Sequence, residues 1–311
     1  MLLATGCVNQ HPAESEKKGT ESVETMLEIK DPAERQAVLQ AKAKVKAAGG
    51  QTRIIATSPA VADICDRLDL KLVGVCKSKV SKIPARYKKV KKVGLAMSPD
   101  MEIVASLHPD WILSPSSLQT DLEAKYKELD TDYAFLNLKS VTGMYRSIQE
   151  LGEIFGRERE AEKLTKEFLA FYKPYEKKIR KKKHPKVLIL MGLPGSYVVA
   201  TENSYVGSLV KLAGGDNVYS GSKQEFLNVN TEDMKKKEPD IILRTAHALP
   251  DQVKKMFQDE FRTNDVWKHY KAVKEHRVYD LDYEHFGMSA DFDYQEALKE
   301  LEKDLYGKGE T

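Results

Sequence analysis

The sequence predicts an α/β protein: two Rossmann-like lobes with mainly parallel sheets, joined by one long backbone helix. Three observations carry this. From residue 52 onward, short apolar runs alternate with helix-period segments, the pattern of strands and crossover helices in a sheet covered on both faces. The alternation stops near mid-chain and then begins again. Between the halves, from Glu158 to Lys183, Ala161, Leu164, Phe168, Phe171, Tyr172, Tyr175 and Ile179 trace one apolar stripe on a helix otherwise clothed in Lys, Arg and Glu. The chain therefore divides into a signal remnant and flexible tether (1–51), a first lobe (52–157), a connecting helix (158–183) and a second lobe (184–307). Pro174 lacks the N–H an inner helical turn needs, so a kink or a stop and restart is expected there.

At the N-terminus, Leu2-Leu3-Ala4-Thr5-Gly6-Cys7 looks like the end of a bacterial lipoprotein signal, in which the cysteine becomes the lipidated first residue. Ala4 stands where that pattern expects Leu, and the apolar run is short with no basic segment before it. A lipid on Cys7 would anchor the protein to a membrane without spanning it. Residues 8–52 are rich in Lys, Glu, Gln and Ala and hold no Phe, Trp or Tyr. Asp31 and Pro32 can start a helix that Gly49-Gly50 ends, but its apolar content is mostly Ala, so the segment reads as a solvated tether.

In the first lobe, strands are expected at Arg53–Ala56, Leu72–Val75, Trp111–Leu113 and Tyr133–Leu136, with helices at Ala60–Leu68, Met101–Leu107 and Leu118–Leu129. In the second, Lys186–Met191 reads as a strand, Gly192–Gly195 as a loop, Ser208–Ala213 as a helix and Asp291–Tyr306 as a closing amphipathic helix. The halves share a repeat: "MEIVASLHPDWILSPS" and "TEDMKKKEPDIILRTAH" align Glu102, Pro109, Asp110 and Ile112 with Glu232, Pro239, Asp240 and Ile242. Each describes a helix stopped before Pro, then a strand leading to a polar loop at the carboxyl edge of a sheet, where open α/β sheets bind ligands.

Composition excludes several classes. The 50 basic and 47 acidic residues leave a net charge of +3, which gives no reason to invoke nucleic acid. No run of 18 apolar residues is present. Three cysteines are too few for a disulfide framework, and Cys65 and Cys76 read as buried free thiols. The seven histidines lack the clustered spacing of a zinc site, and no nucleophile elbow or HExxH motif marks an enzyme.

The segments "KKHPKVLILMGLPGSY", "PDIILRTAHALPDQVKKMFQ", "NDVWKHYKAVK" and "VYDLDYEHFGMSA", with the two-lobe pattern over Arg53–Tyr306, resemble the substrate-binding proteins of ABC importers for haem, iron-siderophores and cobalamin. Within that family the likeness is closest to the haem receptor lipoproteins of staphylococcal type. The resemblance implies a receptor, not an enzyme, on the extracellular face of a Gram-positive cell membrane. It would take haem b, relayed by cell-surface proteins or taken directly, and deliver it to an ABC permease and its ATPase. It implies Met97 in the first lobe and His247 in the second as axial iron ligands, a known haem mode. It places Pro59, Ala60, Ser78 and Lys79 against the porphyrin and its propionates, and gives Glu102 and Glu232 to permease docking. The Thr57-Ser58-Pro59 turn is equally a plain helix cap, and Glu102 and Glu232 are equally first-turn acids favoured by the helix dipole. His285 is the reserve ligand, and Tyr197 packs on the ring or is structural. A ferric-siderophore receptor on the same fold is the competing expectation.

Overall fold

The computed structural model describes residues 22–49, 51–78 and 82–307. The first sheet runs β4-β3-β2-β1-β5-β6, from β1 (Ile54–Ala56), β2 (Leu72–Lys77), β3 (Lys91–Leu95), β4 (Ser98–Pro99), β5 (Trp111–Pro115) and β6 (Asp132–Leu136). All its pairings are parallel except the β3–β4 hairpin. The second runs β10-β8-β7-β11-β12, from β7 (Lys186–Leu193), β8 (Ser196–Ala200), β10 (Phe226–Leu227), β11 (Ile241–Ala246) and β12 (Val278–Asp280), with β9 (Asp216–Asn217) beside β7. The expected architecture is present, with strands β3, β4, β8, β9, β10 and β12 beyond those expected; β8 is the instructive one. Leu193 and Ser196 pair across Pro194-Gly195, so the segment expected to end in a loop turns back as an antiparallel strand. The Pro-Gly dipeptide between two apolar runs is the signal for it.

Four helices cover the first sheet and its flank: α3 (Pro59–Arg67), α4 (Met101–Ser106), α5 (Gln119–Lys127) and α6 (Val141–Ile154). The second lobe carries α8 (Tyr205–Leu212), α9 (Thr231–Lys236), α10 (Pro250–Thr263), α11 (Lys271–Lys274) and α12 (Tyr294–Tyr306). The connector α7 is a single helix over Glu158–Ile179, and at 1.5 Å per residue its 22 residues span about 33 Å. Pro174 does not interrupt it. Both Pro174 and Ala170, whose carbonyl loses a partner, face solvent, where water can take the place of the missing N–H. The buried face is the predicted stripe. Phe168 stacks on Tyr145 of α6 at 4.6 Å between centroids, and Tyr294 of α12 stands edge-on to both. One continuous hydrophobic core therefore runs from the first sheet through α7 into the second. Cys65 and Cys76 are buried free thiols, and burial pushes both up from the usual thiol range.

The described part of the expected tether is not a tether. Before the first sheet, α1 (Val23–Leu27) and α2 (Pro32–Ala47) pack along α6, with Val23, Leu27, Val38 and Val45 buried. The capping of α2 by Asp31 is as expected. What composition alone conceals is that two valines seven residues apart suffice when ion pairs flank them. Arg35 bonds Glu153, Arg146 bonds Glu34, Lys42 lies 2.9 Å from Glu158 and Lys173 lies 2.6 Å from Glu24. Val38→Asp should free both helices, losing roughly 2–3 kcal/mol of docking. The check is limited trypsin digestion: new cuts between Arg35 and Lys46 are expected, and wild-type protection would refute the docking.

The interface with α2 also holds an unfavourable carboxyl. Burial first, and then Glu34 beside it, push Glu150 well above the usual carboxylate range, with Arg146 opposing. A raised acid binds its proton more tightly in the folded state, so its contribution is full in acid and is lost as pH climbs toward neutrality. Glu150→Gln should therefore raise the melting temperature at about pH 8 and leave it nearly unchanged at about pH 5. Equal gains at both would refute the assignment.

Candidate functional site

The expected site residues of the first lobe lie on loops at the carboxyl edge of its sheet. Thr57 and Ser58 follow β1. The Thr57 hydroxyl lies 2.6 Å from that of Ser114 and donates to the Leu113 carbonyl, while the Ser58 hydroxyl accepts from Val61 N–H. The cap reading of this turn is thus present in the structure. Pro59 and Ala60 open α3; Pro59 offers no N–H, and the Ala60 N–H is used by neither bond. Ser78 follows β2, half-buried. Lys79 lies outside the described residues, as does Cys7.

Met97 sits at the tip of the β3–β4 hairpin, where Leu95 pairs with Ser98. Gly94 makes this turn possible: its φ is +100°, and a Cβ there would stand 2.8 Å from Asp100 N. The Met97 thioether is carried into solvent, 66 % exposed.

In the second lobe His247 follows β11. Its N–H donates to Gly192 O at 2.9 Å, and its carbonyl accepts from Tyr283 at 3.4 Å. Its Nδ1 is buried without a partner. An unpaired buried polar atom costs about 1–3 kcal/mol, and natural structures keep few of them. The Nδ1 of His285 is buried and unpaired too. Burial pushes the neighbouring Asp291 carboxyl up to about 6 and raises Glu300 of α12 as well, with the His285 ring a minor opposing influence on both. The two lobes touch where Ala290 N–H, in the segment before α12, donates to Leu138 O just past β6 at 2.7 Å, with Arg67 3.8 Å over the Phe292 ring. Cavities of about 750 Å³ (around Met26, Lys139, Tyr172 and Phe226) and about 420 Å³ (around Lys186, Asp216 and Lys237) are lined by neither Met97 nor His247.

Tyr197 has a structural role. Its ring packs on Phe257 and Trp267, and its hydroxyl donates to Glu260 Oε1 at 3.0 Å. The same oxygen accepts from Trp267 Nε1 and Asn264 Nδ2. Partial burial raises Glu260, but these three hydrogen bonds outweigh it and hold the carboxyl below its usual range.

Glu102 and Glu232 are both exposed and occupy matching places, each second in a six-residue helix capped by Asp100 or Asn230. Among the described residues no group of three or more His, Cys, Asp or Glu is placed to hold a metal ion. Two residues at the carboxyl edges escape the sequence reading: Leu95 and Leu249 are exposed, each two positions from Met97 or His247.

Comparison with known proteins gives a consistent answer. The sequence profile of the periplasmic binding proteins matches residues 54–284. The chain is 44 % identical over 260 residues to the high-affinity heme uptake system protein IsdE of Staphylococcus aureus, covering 83 % of this chain and 88 % of that one. An ABC transporter substrate-binding protein from Listeria monocytogenes superposes with a TM-score of 0.78 at 49 % identity, over 82 % of this chain and 98 % of that one. Staphylococcus aureus IsdE complexed with heme superposes with a TM-score of 0.77 at 43 % identity, over 82 % and 99 %. These relatives are substrate-binding transport proteins, not enzymes.

The Glu260 cluster braces the second lobe behind the His247 loop, and its strength should depend on pH. A lowered carboxyl stabilises above the unfolded value and loses that contribution as pH falls through the folded value. Urea unfolding should show wild type weakening in acid below the usual carboxylate range, and Glu260→Gln with a shallower acid slope. Glu260→Ala, which strands three donors, should lose about 1–3 kcal/mol at neutral pH. Identical acid slopes for wild type and Glu260→Gln would refute the role given to the charge.

Proposed function

The chain belongs to the periplasmic binding protein family, and from that premise we propose that it is a haem-binding receptor that passes haem to an ABC permease. The observation that carries this reading is one candidate iron ligand at the carboxyl edge of each sheet. An exposed thioether, Met97, tops one carboxyl edge, and a histidine with a buried, unpaired nitrogen, His247, tops the other. Met/His ligation holds haem iron and raises its potential relative to His alone. The similarity to IsdE, solved with heme, supports the same cargo here. Pro59, Ala60 and Ser78 stand at the first-lobe edge where the propionates would lie, and the start of α3 supplies N–H and positive partial charge for them; Lys79, outside the described residues, would add its charge by its sequence position.

Delivery follows from the two exposed acids. Glu102 and Glu232, one per lobe in matching helices, offer a symmetric pair of carboxylates to basic residues on two permease halves. The reading carries with it a lipid on Cys7, supported by the Leu2–Cys7 run, and a place on the extracellular face of the cell membrane.

Absorption spectra of the protein with added haem test the ligands. Wild type should show a Soret band typical of a six-coordinate iron. His247→Ala and Met97→Ala should each shift that band and weaken binding by about tenfold or more, since tenfold is only ~1.4 kcal/mol. Spectra and affinities unchanged in both variants would overturn the ligand assignment. Tight ferric-siderophore binding without haem binding would overturn the cargo.

A further inference from the structure

Among the described residues four large apolar side chains stand in solvent: Leu39, Leu95, Met97 and Leu249. Leu39 lies on α2, before the first sheet in the chain. The other three occupy the carboxyl-edge turns. Leu95 is 56 % exposed and ends β3, two residues before Met97; Leu249 is 53 % exposed and lies two residues after His247. Scattered exposed leucines need no explanation, but these are not scattered. One stands on each lobe, at the same short distance in sequence from a residue assigned to the iron.

Leu249 is the more telling. Its φ of +49° and ψ of +59° put it in the left-handed region, where a Cβ crowds the backbone and Gly or Asn is favoured. It is also the residue before the first turn of α10, where Ser, Asp or Asn would cap the helix, and it makes no side-chain cap. Backbone conformation, helix capping and solvation each disfavour leucine at this position. Gly or Asn would fold more readily there, so folding does not account for the side chain.

We propose that Leu95 and Leu249 form an apolar clamp, one jaw on each lobe, that grips the porphyrin plane independently of the iron, so that the cleft also takes iron-free porphyrins. The inference rests on the haem reading above and extends its ligand class. Axial bonds to Met97 and His247 require a metal. The flat apolar macrocycle offers the same faces whether or not it holds one, and its contact with the two leucines removes apolar surface of both from water.

The test uses the full chain with two probes, haemin and iron-free protoporphyrin IX, the latter followed by its own fluorescence. Wild type should bind both. Leu249→Gly should keep or raise the melting temperature, because glycine relaxes the left-handed backbone, and should bind protoporphyrin about tenfold more weakly (~1.4 kcal/mol). Leu95→Ser, on an exposed strand end, should show a similar loss. Haemin should keep its Soret position in both variants, since both axial ligands remain. Protoporphyrin affinity unchanged in both variants, or haemin binding by a wild type that ignores protoporphyrin, would overturn the clamp while leaving the haem reading standing. A wild type that binds neither probe would overturn the haem reading itself.

Discussion

The stack of Tyr145 on Phe168, closed edge-on by Tyr294, fixes the relation between the two sheets. These rings come from α6 of the first lobe, from the connector and from α12 of the second. Around them Tyr172 donates to Leu212 O and Tyr175 donates to Leu298 O, so the connector is tied to the second lobe by hydrogen bonds as well as by packing. Aromatic pairs of this kind add about 0.5–1.5 kcal/mol each beyond the area they bury. Because the core is continuous through this point, the loops that carry Met97 and His247 are positioned by one packed body rather than by two tethered ones.

Within each lobe the edge is set by a repeated device. Asp110 accepts from Arg53 N–H at 2.7 Å and donates its own N–H to Arg53 O; Asp240 does the same with Lys186 at 3.0 Å. The aspartate thus closes the start of one central strand against the start of its neighbour, β1 with β5 and β7 with β11. The residue before each proline, His108 or Glu238, has a positive φ that ends the preceding helix. With its amino end locked in register, each central strand delivers its next loop to a defined place at the carboxyl edge. In the second lobe that loop begins at His247. The same logic sets Glu102 and Glu232 in matching positions at the starts of their helices.

How legible this was depends on the length scale of the signal. The Pro-Asp repeat and the stripe of α7 are periodic over many residues, so the two sheets and their connector could be read directly. Met97, His247, Glu102 and Glu232 stand out only through a family resemblance, which supplies what a lone Met or His does not. The two N-terminal helices were not legible as docked: Val38 and Val45 look incidental in an Ala- and Lys-rich stretch until Glu153, Glu158 and Arg146 are seen facing them across α6 and α7. Tyr197 was ambiguous for a similar reason. Its partner Glu260 lies 63 residues away, and no local pattern links them. Leu249 was hidden because its significance is a dihedral angle, and a dihedral is not written in residue type.

A core unbroken between the lobes has a consequence for capture. Opening the cleft widely would have to break the Ala290–Leu138 hydrogen bond, the Lys139–Glu225 ion pair and the aromatic packing along α7 together. A ligand can shift a conformational equilibrium only by the difference in its affinity for the two states. A site already in place loses less of its binding free energy to ordering than one assembled on contact. The cost appears instead in the protein itself, as a methionine and two leucines held in water, one of the leucines left-handed, and a buried imidazole nitrogen without a partner. Each is unfavourable alone, and all lie on or beside the carboxyl edges of the two sheets, where the proposed haem would cover them.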